Sequence, residues 1–409
     1  MKRIVIFCLF FICSIAGRTQ INIDSCSMEI SLLTCSPGTD LYSIFGHTAI
    51  RVRDSIRGMD IVYNYGTFDD SDPLFYVHFT HGIMNYSLSA ETMDTFMMEY
   101  EFEHREVVAQ ILQLNCSEKI QLYEALRKNT LDENRIYQYH FHTDNCTTRA
   151  GKIIEANTKE PVVYKNILSV PGPSFREMIH EYLDRGHQNW SKFGIDIMLG
   201  KNLDIKPTNV EAIHFLPDYL FRGFDSAQKG NKTLVKNKLT LLSFKDQKIT
   251  EGRFFAVIQG IIIPMTVFLG IFLVSLFLQV SIAKKAVRNL LIFDIIFFSL
   301  LGLLGFVMAY AWLGRVDNVC TDNINILWAL PTHLLIVFFL RKNSSWIKYY
   351  FLVTAILALV LLLGFPWWPQ HLNNAILPLL GIILFRSYHH FQKRNHAEKS
   401  VVQKPDAGI

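Results

Sequence analysis

A histidine and a cysteine occupy positions in this chain where each is suited to nucleophilic catalysis. His47 follows a glycine in SIFGHTAIRV and begins a run in which polar and apolar residues alternate. Cys146 follows Asp144 and Asn145 in TDNCTTRAGKIIEA, and either residue is a good N-cap for a helix that starts at the cysteine. The free N–H groups at a helix N-terminus stabilise an anion, so they favour the thiolate form of Cys146. A thiolate with an imidazole base predicts cysteine-dependent acyl chemistry.

A third polar side chain is needed to hold the imidazole in its catalytic orientation. The run GMDIVYNYG after His47 supplies Asn64 and, farther from the middle of the run, Asp60. We expect Asn64 to take this role because it lies centrally between two tyrosines. The competing interpretation is that His47 is a core histidine and Cys146 a structural thiol.

The elements around these residues predict an α+β domain with a small antiparallel sheet. GHTAIRVRD and GMDIVYNYG are rich in strand-forming residues and are separated by a turn-like DSIRG, which is typical of a hairpin. MEISLLTCSPG and RIYQYHFHT also read as strands. Helical spacing and N-cap residues predict helices in SEKIQLYEALRKN, DNCTTRAGKIIEAN and SFREMIHEYLDRG.

The chain divides into an exported part and a membrane part. Of its 409 residues 50% are hydrophobic, and the mean hydropathy is +0.21. Residues 1–20 have the charged, apolar and small-residue order of a signal peptide. We expect residues 21–253 to form an exported catalytic domain, 254–391 a membrane domain, and 392–409 a cytoplasmic tail. Five apolar segments are expected to span the membrane: Phe254–Val280, Leu290–Leu313, Ile324–Leu340, Tyr349–Phe365 and Leu372–Phe385.

Basic residues set the orientation of the membrane part. The loops AKKAVR and RKNSSWIK and the stretch FRSYHHFQKR are rich in Lys and Arg, whereas PWWPQH has neither. Because positive loops stay in the cytoplasm, the catalytic domain should lie outside and the C-terminus inside. The basic loops therefore predict an exported catalytic domain and a C-terminal tail in the cytoplasm.

Three polar residues of the membrane part are candidate substrate contacts. Asn323 and Asn325 are expected near the outer headgroup layer, where they could contact a lipid headgroup or the outer domain. His333 follows Pro331 inside an apolar segment, and an ionisable group at that depth is a candidate functional residue. An interhelical hydrogen bond is the alternative role for His333.

Other site types have weaker support. His140 and His142 fall on one face of a predicted strand, but no further ligands accompany them, so we expect no metal. The sequence has no Gly-rich phosphate loop, and we expect no cofactor and no nucleic-acid partner. Cys26 and Cys35 are close enough in sequence to be candidates for a disulfide in an oxidising compartment.

The order of the motifs resembles that of a known superfamily. A strand histidine in GH at 46–47 comes before a helix start in NC at 145–146, as in the circularly permuted branch of the NlpC/P60 superfamily, which includes lecithin:retinol acyltransferase-like proteins. That resemblance implies a permuted papain-like fold. The chain departs from the branch at its third residue, which is Asn64 and not a second histidine.

A resemblance to the Lnb family covers nearly the whole chain. The matching parts are SPGTDLYSIFGHTAIRV, YNYG, TDNCTTR and the five-segment apolar tail. The resemblance implies a lipoprotein N-acyltransferase with a phospholipid as acyl donor and the α-amine of a diacylglyceryl-cysteine lipoprotein as acceptor. A thioester on Cys146 would be the intermediate. A membrane-anchored peptidoglycan endopeptidase or amidase would explain the cysteine domain but not the five membrane segments, and a non-catalytic membrane assembly protein is a third class.

The charge pattern predicts the topology directly. A reporter fused after Asn231 should be active outside the membrane, and one fused after Gln403 should be active in the cytoplasm. Enzymatic reporters that work on only one side of the membrane make the measurement. If both fusions report the same side, one spanning segment must be removed from the predicted five.

Overall fold

A seven-stranded antiparallel sheet organises the first half of the chain. The computed structural model describes residues 27–68, 73–244, 262–280, 284–342 and 344–402, so the expected signal peptide lies outside the described residues. The strands of this sheet are β1 Met28–Cys35, β2 His47–Asp54, β3 Met59–Thr67, β4 Asn85–Thr92, β5 Val107–Leu112, β6 Ile136–Gln138 and β10 Val235–Leu242. Their order across the sheet is β10-β5-β1-β2-β3-β4-β6. A small second sheet contains β7 Val162–Val163, β8 Gln228–Lys229 and β9 Lys232–Thr233.

Helices cover both faces of the large sheet. The helices of this half are α1 Phe75–His81, α2 Met93–Phe102, α3 Cys116–Asn129, α4 Cys146–Ala156, α5 Phe175–Arg185, α6 Asn189–Met198, α7 Asn209–Ile213 and α8 Pro217–Ser226. Helices α3, α4 and α8 pack on one face of the sheet, against residues such as Ile50 and Tyr63. Helix α2 packs on the opposite face, against Leu33 and Val62.

The expected hairpin and α+β class are confirmed. β2 and β3 pair in register with Ile50 opposite Tyr63, and Gly58 has a positive φ of 62° in the turn between them. The expected strand RIYQYHFHT is wrong over most of its length, because only Ile136–Gln138 pairs with β4. The following residues fold instead into the turns that lead to α4.

The second half of the chain is helical. It contains α9 Pro264–Val280, α10 Lys284–Gly314, the short α11 His333–Ile336, α12 Ser345–Leu363 and α13 Ile376–Val402. Among the described residues, two helical stretches are long and apolar enough to cross a membrane, Arg288–Gly314 and Ser345–Leu363, and Pro264–Val280 is a shorter apolar helix.

Two of the expected spanning segments differ from the structure. Ile324–Leu340 is not one continuous helix, because it breaks into 3-10 turns and the short α11 around Pro331. This broken segment packs directly on α10, where a Cβ at Gly305 would lie only 1.8 Å from the carbonyl oxygen of Ala329. The fifth segment is longer than expected, because α13 tolerates Pro378 near its start and continues to Val402.

A buried ion pair joins two helices of the membrane part. The guanidinium of Arg386 on α13 donates two hydrogen bonds of 2.7 Å to the carboxylate of Asp294 on α10. Both side chains are almost wholly buried, so removing one partner would leave an uncompensated charge. This pair therefore joins the first part of α10 to α13.

The cysteines are distributed differently from the expected pairing. Cys35 is free and completely buried in β1, so the candidate pair of Cys26 with Cys35 is wrong. Cys116 is disulfide-bonded. Cys146 and Cys320 are the other free thiols in the part of the chain that the structure describes.

The close approach of α10 to the broken segment gives a stability prediction. Gly305→Ala should lower the melting temperature in detergent, because the added methyl must push two backbones apart at a cost of about 1–3 kcal/mol. Gly270→Ala on α9 is the matched control, since nothing lies within 4 Å of its ideal Cβ and alanine favours the helix. Equal melting temperatures for the two variants would contradict this packing.

Candidate active site

Asn145 fixes the start of the helix that carries Cys146. Its side-chain oxygen accepts a hydrogen bond of 2.9 Å from the backbone N–H of Thr148, which is the N-cap geometry. Its amide donates to the carbonyl oxygens of Phe141 at 2.7 Å and Phe215 at 2.9 Å. Asn145 is buried, and every hydrogen-bonding group of its side chain is used. Cys146 is therefore held as the first residue of α4, as the sequence predicts.

A threonine pair attaches this helix start to strand β2. The hydroxyls of Thr48 and Thr147 lie 3.2 Å apart and are buried. The backbone N–H of Thr48 donates a hydrogen bond to the thiol of Cys146, and the Thr147 hydroxyl lies 3.9 Å from its sulfur. Since His47 directly precedes Thr48, the same attachment brings the imidazole to the thiol, and the two side chains are hydrogen-bonded.

The two groups shift each other's pKa toward an ion pair. Burial raises the pKa of Cys146, but the positive charge and hydrogen bond of His47 outweigh it and hold that pKa below its ordinary value. Burial lowers the pKa of His47, but the negative charge of Cys146 together with the hydrogen bonds from Cys146 and Asn64 outweighs burial, and the net pKa is raised. Both shifts favour the thiolate–imidazolium form relative to an isolated cysteine and histidine, and the thiolate is the reactive form of a nucleophilic cysteine.

Asn64 holds the imidazole from the other side. Its side-chain oxygen lies 3.2 Å from Nε2 of His47, and its amide nitrogen donates to Glu91 on β4 at 2.6 Å. Because a carboxylate only accepts hydrogen bonds, Glu91 fixes which way the amide of Asn64 faces. Nε2 of His47 must then carry a proton and donate a hydrogen bond to the amide oxygen of Asn64. Nδ1 is therefore the ring nitrogen that is available to the thiol of Cys146.

An aromatic wall lies beside the sulfur. Gly66 has a positive φ of 94°, and a Cβ there would lie 3.6 Å from Cβ of Cys146 and 3.8 Å from the ring of Tyr139. The ring of Tyr139 stacks on Tyr86 with centroids 4.4 Å apart. Burial and the nearby thiolate raise the pKa of Tyr139 well above its usual range, so it is a neutral wall of the site.

Two neighbours of the site are excluded from the roles of nucleophile and orienting residue. Cys35 lies directly opposite His47 in the β1–β2 register, but burial raises the pKa of its thiol to about 12. Asp60, the alternative orienting residue, is paired with Arg51 at 2.6 Å. Cys146 and Asn64 are therefore the residues that the geometry associates with His47.

The candidate substrate contacts of the membrane part lie elsewhere. Asn323 donates to the carbonyl oxygen of Ile197 at 2.7 Å, and Asn325 donates to that of Asp196 at 3.1 Å. Nδ1 of His333 lies 2.7 Å from the hydroxyl of Tyr350, which is an interhelical hydrogen bond. Within the described residues, none of the hydrogen bonds of these three side chains involves His47, Asn64 or Cys146. The two asparagines bind α6 of the first half, and a substrate role for all three stays a prediction.

Sequence reasoning missed four residues of the site. Glu91, Thr48, Thr147 and Tyr139 carried no recognisable signal, because each acts through a contact with a residue far away in sequence. Thr48 directly follows His47, and Thr147 directly follows Cys146. Examining the sequence neighbours of His47 and Cys146 could therefore have found the two threonines.

Family models cover most of the chain. The model of the Lnb N-terminal periplasmic domain matches residues 18–170, and that of the Lnb transmembrane domain matches residues 257–397. The first region contains His47, Asn64 and Cys146, and the second contains α9 to α12 and most of α13. No curated protein and no solved structure matches the chain.

The ion pair predicts how Cys146 reacts with iodoacetamide. In the wild type, alkylation should persist well below the pH at which an ordinary thiol is protonated. His47→Ala should slow it at least about tenfold at pH 7, because each unit of rise in the thiol pKa removes about tenfold of the thiolate. Asn64→Ala should slow it less, since it removes one hydrogen bond that raises the pKa of His47.

Mass spectrometry of the peptide that contains Cys146 measures the rate at each pH. An unchanged alkylation rate in His47→Ala would rule out the ion pair.

Proposed function

The chain belongs to the Lnb family, and we propose that it is a cysteine-dependent lipoprotein N-acyltransferase of the bacterial inner membrane. It moves an acyl chain from a phospholipid to the α-amine of a diacylglyceryl-cysteine lipoprotein. The observation that carries the proposal is the position of Cys146 at the start of α4 beside the imidazole of His47, in a periplasmic domain that is joined to a membrane domain.

The first half-reaction acylates the enzyme. The thiolate of Cys146 attacks the ester carbonyl of the phospholipid, and a carbon–sulfur bond forms. The carbon–oxygen bond to glycerol then breaks, and the imidazolium of His47 gives its proton to the departing oxygen, which leaves as a lysophospholipid. The backbone N–H of Thr48 donates a hydrogen bond to the sulfur, which stabilises the negative charge of the thiolate.

The second half-reaction transfers the acyl chain to the acceptor. The neutral imidazole of His47 accepts a proton as the lipoprotein amine attacks the thioester. A carbon–nitrogen bond forms, the carbon–sulfur bond breaks, and the thiolate is restored beside an imidazolium. Water competes with the amine at this stage. The half-buried position of Cys146 and the wall formed by Tyr139 and Tyr86 support a site that favours transfer over hydrolysis.

The attachment to the membrane domain also supports a lipid substrate. Ala311 near the end of α10 packs in one hydrophobic cluster with Phe215 and Leu216 of the periplasmic domain. Phe215 is the residue whose carbonyl oxygen binds Asn145. The start of α4 is thus connected through a single packed cluster to a helix that is long and apolar enough to cross the membrane.

Trapping the intermediate tests the proposal. Purified protein incubated with acyl-labelled phospholipid and no acceptor should acquire label that neutral hydroxylamine removes, because thioesters react with hydroxylamine. Cys146→Ala should acquire none. Cys320→Ala is the matched control and should keep the label, since Cys320 is a buried free thiol whose pKa is raised to about 11 by burial.

Addition of a diacylated lipopeptide should then move the label to the peptide. Two outcomes would contradict the proposal: transfer to the peptide with no trappable adduct, which indicates direct transfer, and cleavage of peptidoglycan fragments with lipid untouched, which indicates a hydrolase.

A further inference from the structure

We propose that α1 and the outer end of α10 form a lipid-contact surface through which an acyl chain of an outer-leaflet phospholipid reaches Cys146. This inference rests on the proposed function and assigns the donor's route into the site. The surface, called the entry surface below, is defined by the exposed apolar residues Leu74, Val77 and Phe79 at α1 and Leu313 and Val316 at the end of α10.

The first step of the argument is that α1 is fastened to the membrane helix. The hydroxyl of Tyr310 lies 2.7 Å from Nε2 of His81, and the backbone N–H of Val316 donates to the carbonyl oxygen of His81 at 3.0 Å. Arg315 also donates to the carbonyl oxygen of Phe79 at 2.8 Å. These bonds involve the backbone and the last side chain of α1, so the helix has a fixed position against the end of α10.

The second step concerns depth. The end of α10 at Gly314 is its outer end, because the loop after it binds the periplasmic domain through a 2.9 Å hydrogen bond from the N–H of Gly200 to the carbonyl oxygen of Val319. Tyr310 lies one helical turn before Gly314, or about 6 Å toward the membrane centre. A helix bonded to Tyr310 therefore lies at the depth of the headgroups and the first acyl carbons.

The third step concerns the chemistry of the entry surface at that depth. Val77 is 49% exposed, Leu313 87% and Val316 53%. Apolar side chains of this size at a membrane interface partition into the acyl region, as they do in interfacial helices. Phospholipid is the main constituent of the leaflet around the helix, and it is therefore the molecule that covers this surface in the free enzyme.

The fourth step connects the entry surface to the thiol. α1 ends at His81 and is capped by Gly82. Two residues after this cap, the carbonyl oxygen of Met84 accepts a hydrogen bond of 2.7 Å from the backbone N–H of Tyr139. The ring of Tyr139 stacks on Tyr86 and lies across Gly66 from Cys146. The strand that leaves α1 thus leads to the aromatic wall of the site, which is a suitable surface for a methylene chain.

A matched pair of valines tests the entry surface. Val77→Asp places a charge where the acyl chain is expected and should reduce labelling of Cys146 by acyl-labelled phospholipid in vesicles by about tenfold. Val210→Asp on α7 is the control, since Val210 is also 49% exposed, and it should label at the wild-type rate. Alkylation of Cys146 by iodoacetamide should be equal in both variants, which shows that the catalytic site is intact.

A second measurement locates the residue without using activity. Spin labels on Val77→Cys and Val210→Cys, each in the Cys146→Ala background, should differ in their collisions with oxygen and with a water-soluble nickel complex. Oxygen concentrates in the acyl region, so the label at 77 should collide more with oxygen and the label at 210 more with nickel.

The outcomes separate this inference from the proposed function. If the wild-type protein takes no label from phospholipid, the proposed function fails. If the wild type is labelled and Val77→Asp is labelled equally, or if the spin label at 77 contacts water as the one at 210 does, the entry surface is wrong and the function stands. If Val77→Asp is labelled normally but transfers slowly to a diacylated lipopeptide, the surface binds the acceptor, and the donor assignment is overturned.

Discussion

The thiolate form of Cys146 is favoured at the start of α4 because the imidazole of His47 lies beside the sulfur. Burial alone would raise the pKa of Cys146, as it does for Cys35, which lies directly opposite His47 and has a pKa of about 12. The difference between these two neighbouring thiols comes first from the positive charge of His47 beside Cys146, and then from the hydrogen bonds that Cys146 makes with His47, Thr48 and Thr147. The rest of the periplasmic domain serves this contact: the hairpin presents His47 and Asn64, Glu91 fixes the amide, and Asn145 fixes the helix start.

The junction with the membrane domain fixes where the reactive pair lies. Buried amides of Asn323 and Asn325 bind backbone carbonyls of α6, and Ala311 belongs to the same hydrophobic cluster as Phe215, whose carbonyl oxygen accepts a hydrogen bond from Asn145. A satisfied polar junction of this kind has little freedom to slide, because any shift would leave buried groups without partners. The first half of the chain is therefore held at a fixed place on α10, as the proposed function requires of a nucleophile whose substrates stay in the bilayer.

The sequence predicted the features that depend on neighbouring residues. The N-cap at Asn145, the hairpin and the position of Asn64 in its middle all follow from local patterns, and the structure has them. Features that depend on strand pairing or helix packing were not predictable. Glu91 reaches Asn64 because β3 and β4 pair in a particular register. Hydropathy read Ile324–Leu340 as one helix, since it cannot detect that glycines of α10 admit the backbone of a broken segment. The sequence left open whether Asn323 and Asn325 contact a lipid headgroup or the outer domain, because it cannot show that carbonyls of α6 lie beside them.

The mass of lipoprotein N-termini in cells tests the central claim most directly. Cells that express the wild-type chain should contain lipoproteins whose N-terminal cysteine carries an amide-linked acyl chain in addition to its diacylglyceryl group. Cells that express only Cys146→Ala, with equal protein in the membrane, should contain lipoproteins that lack this chain and keep a free α-amine. If lipoproteins from the Cys146→Ala cells carry the amide-linked chain at the wild-type level, Cys146 is not the acyl-transferring nucleophile.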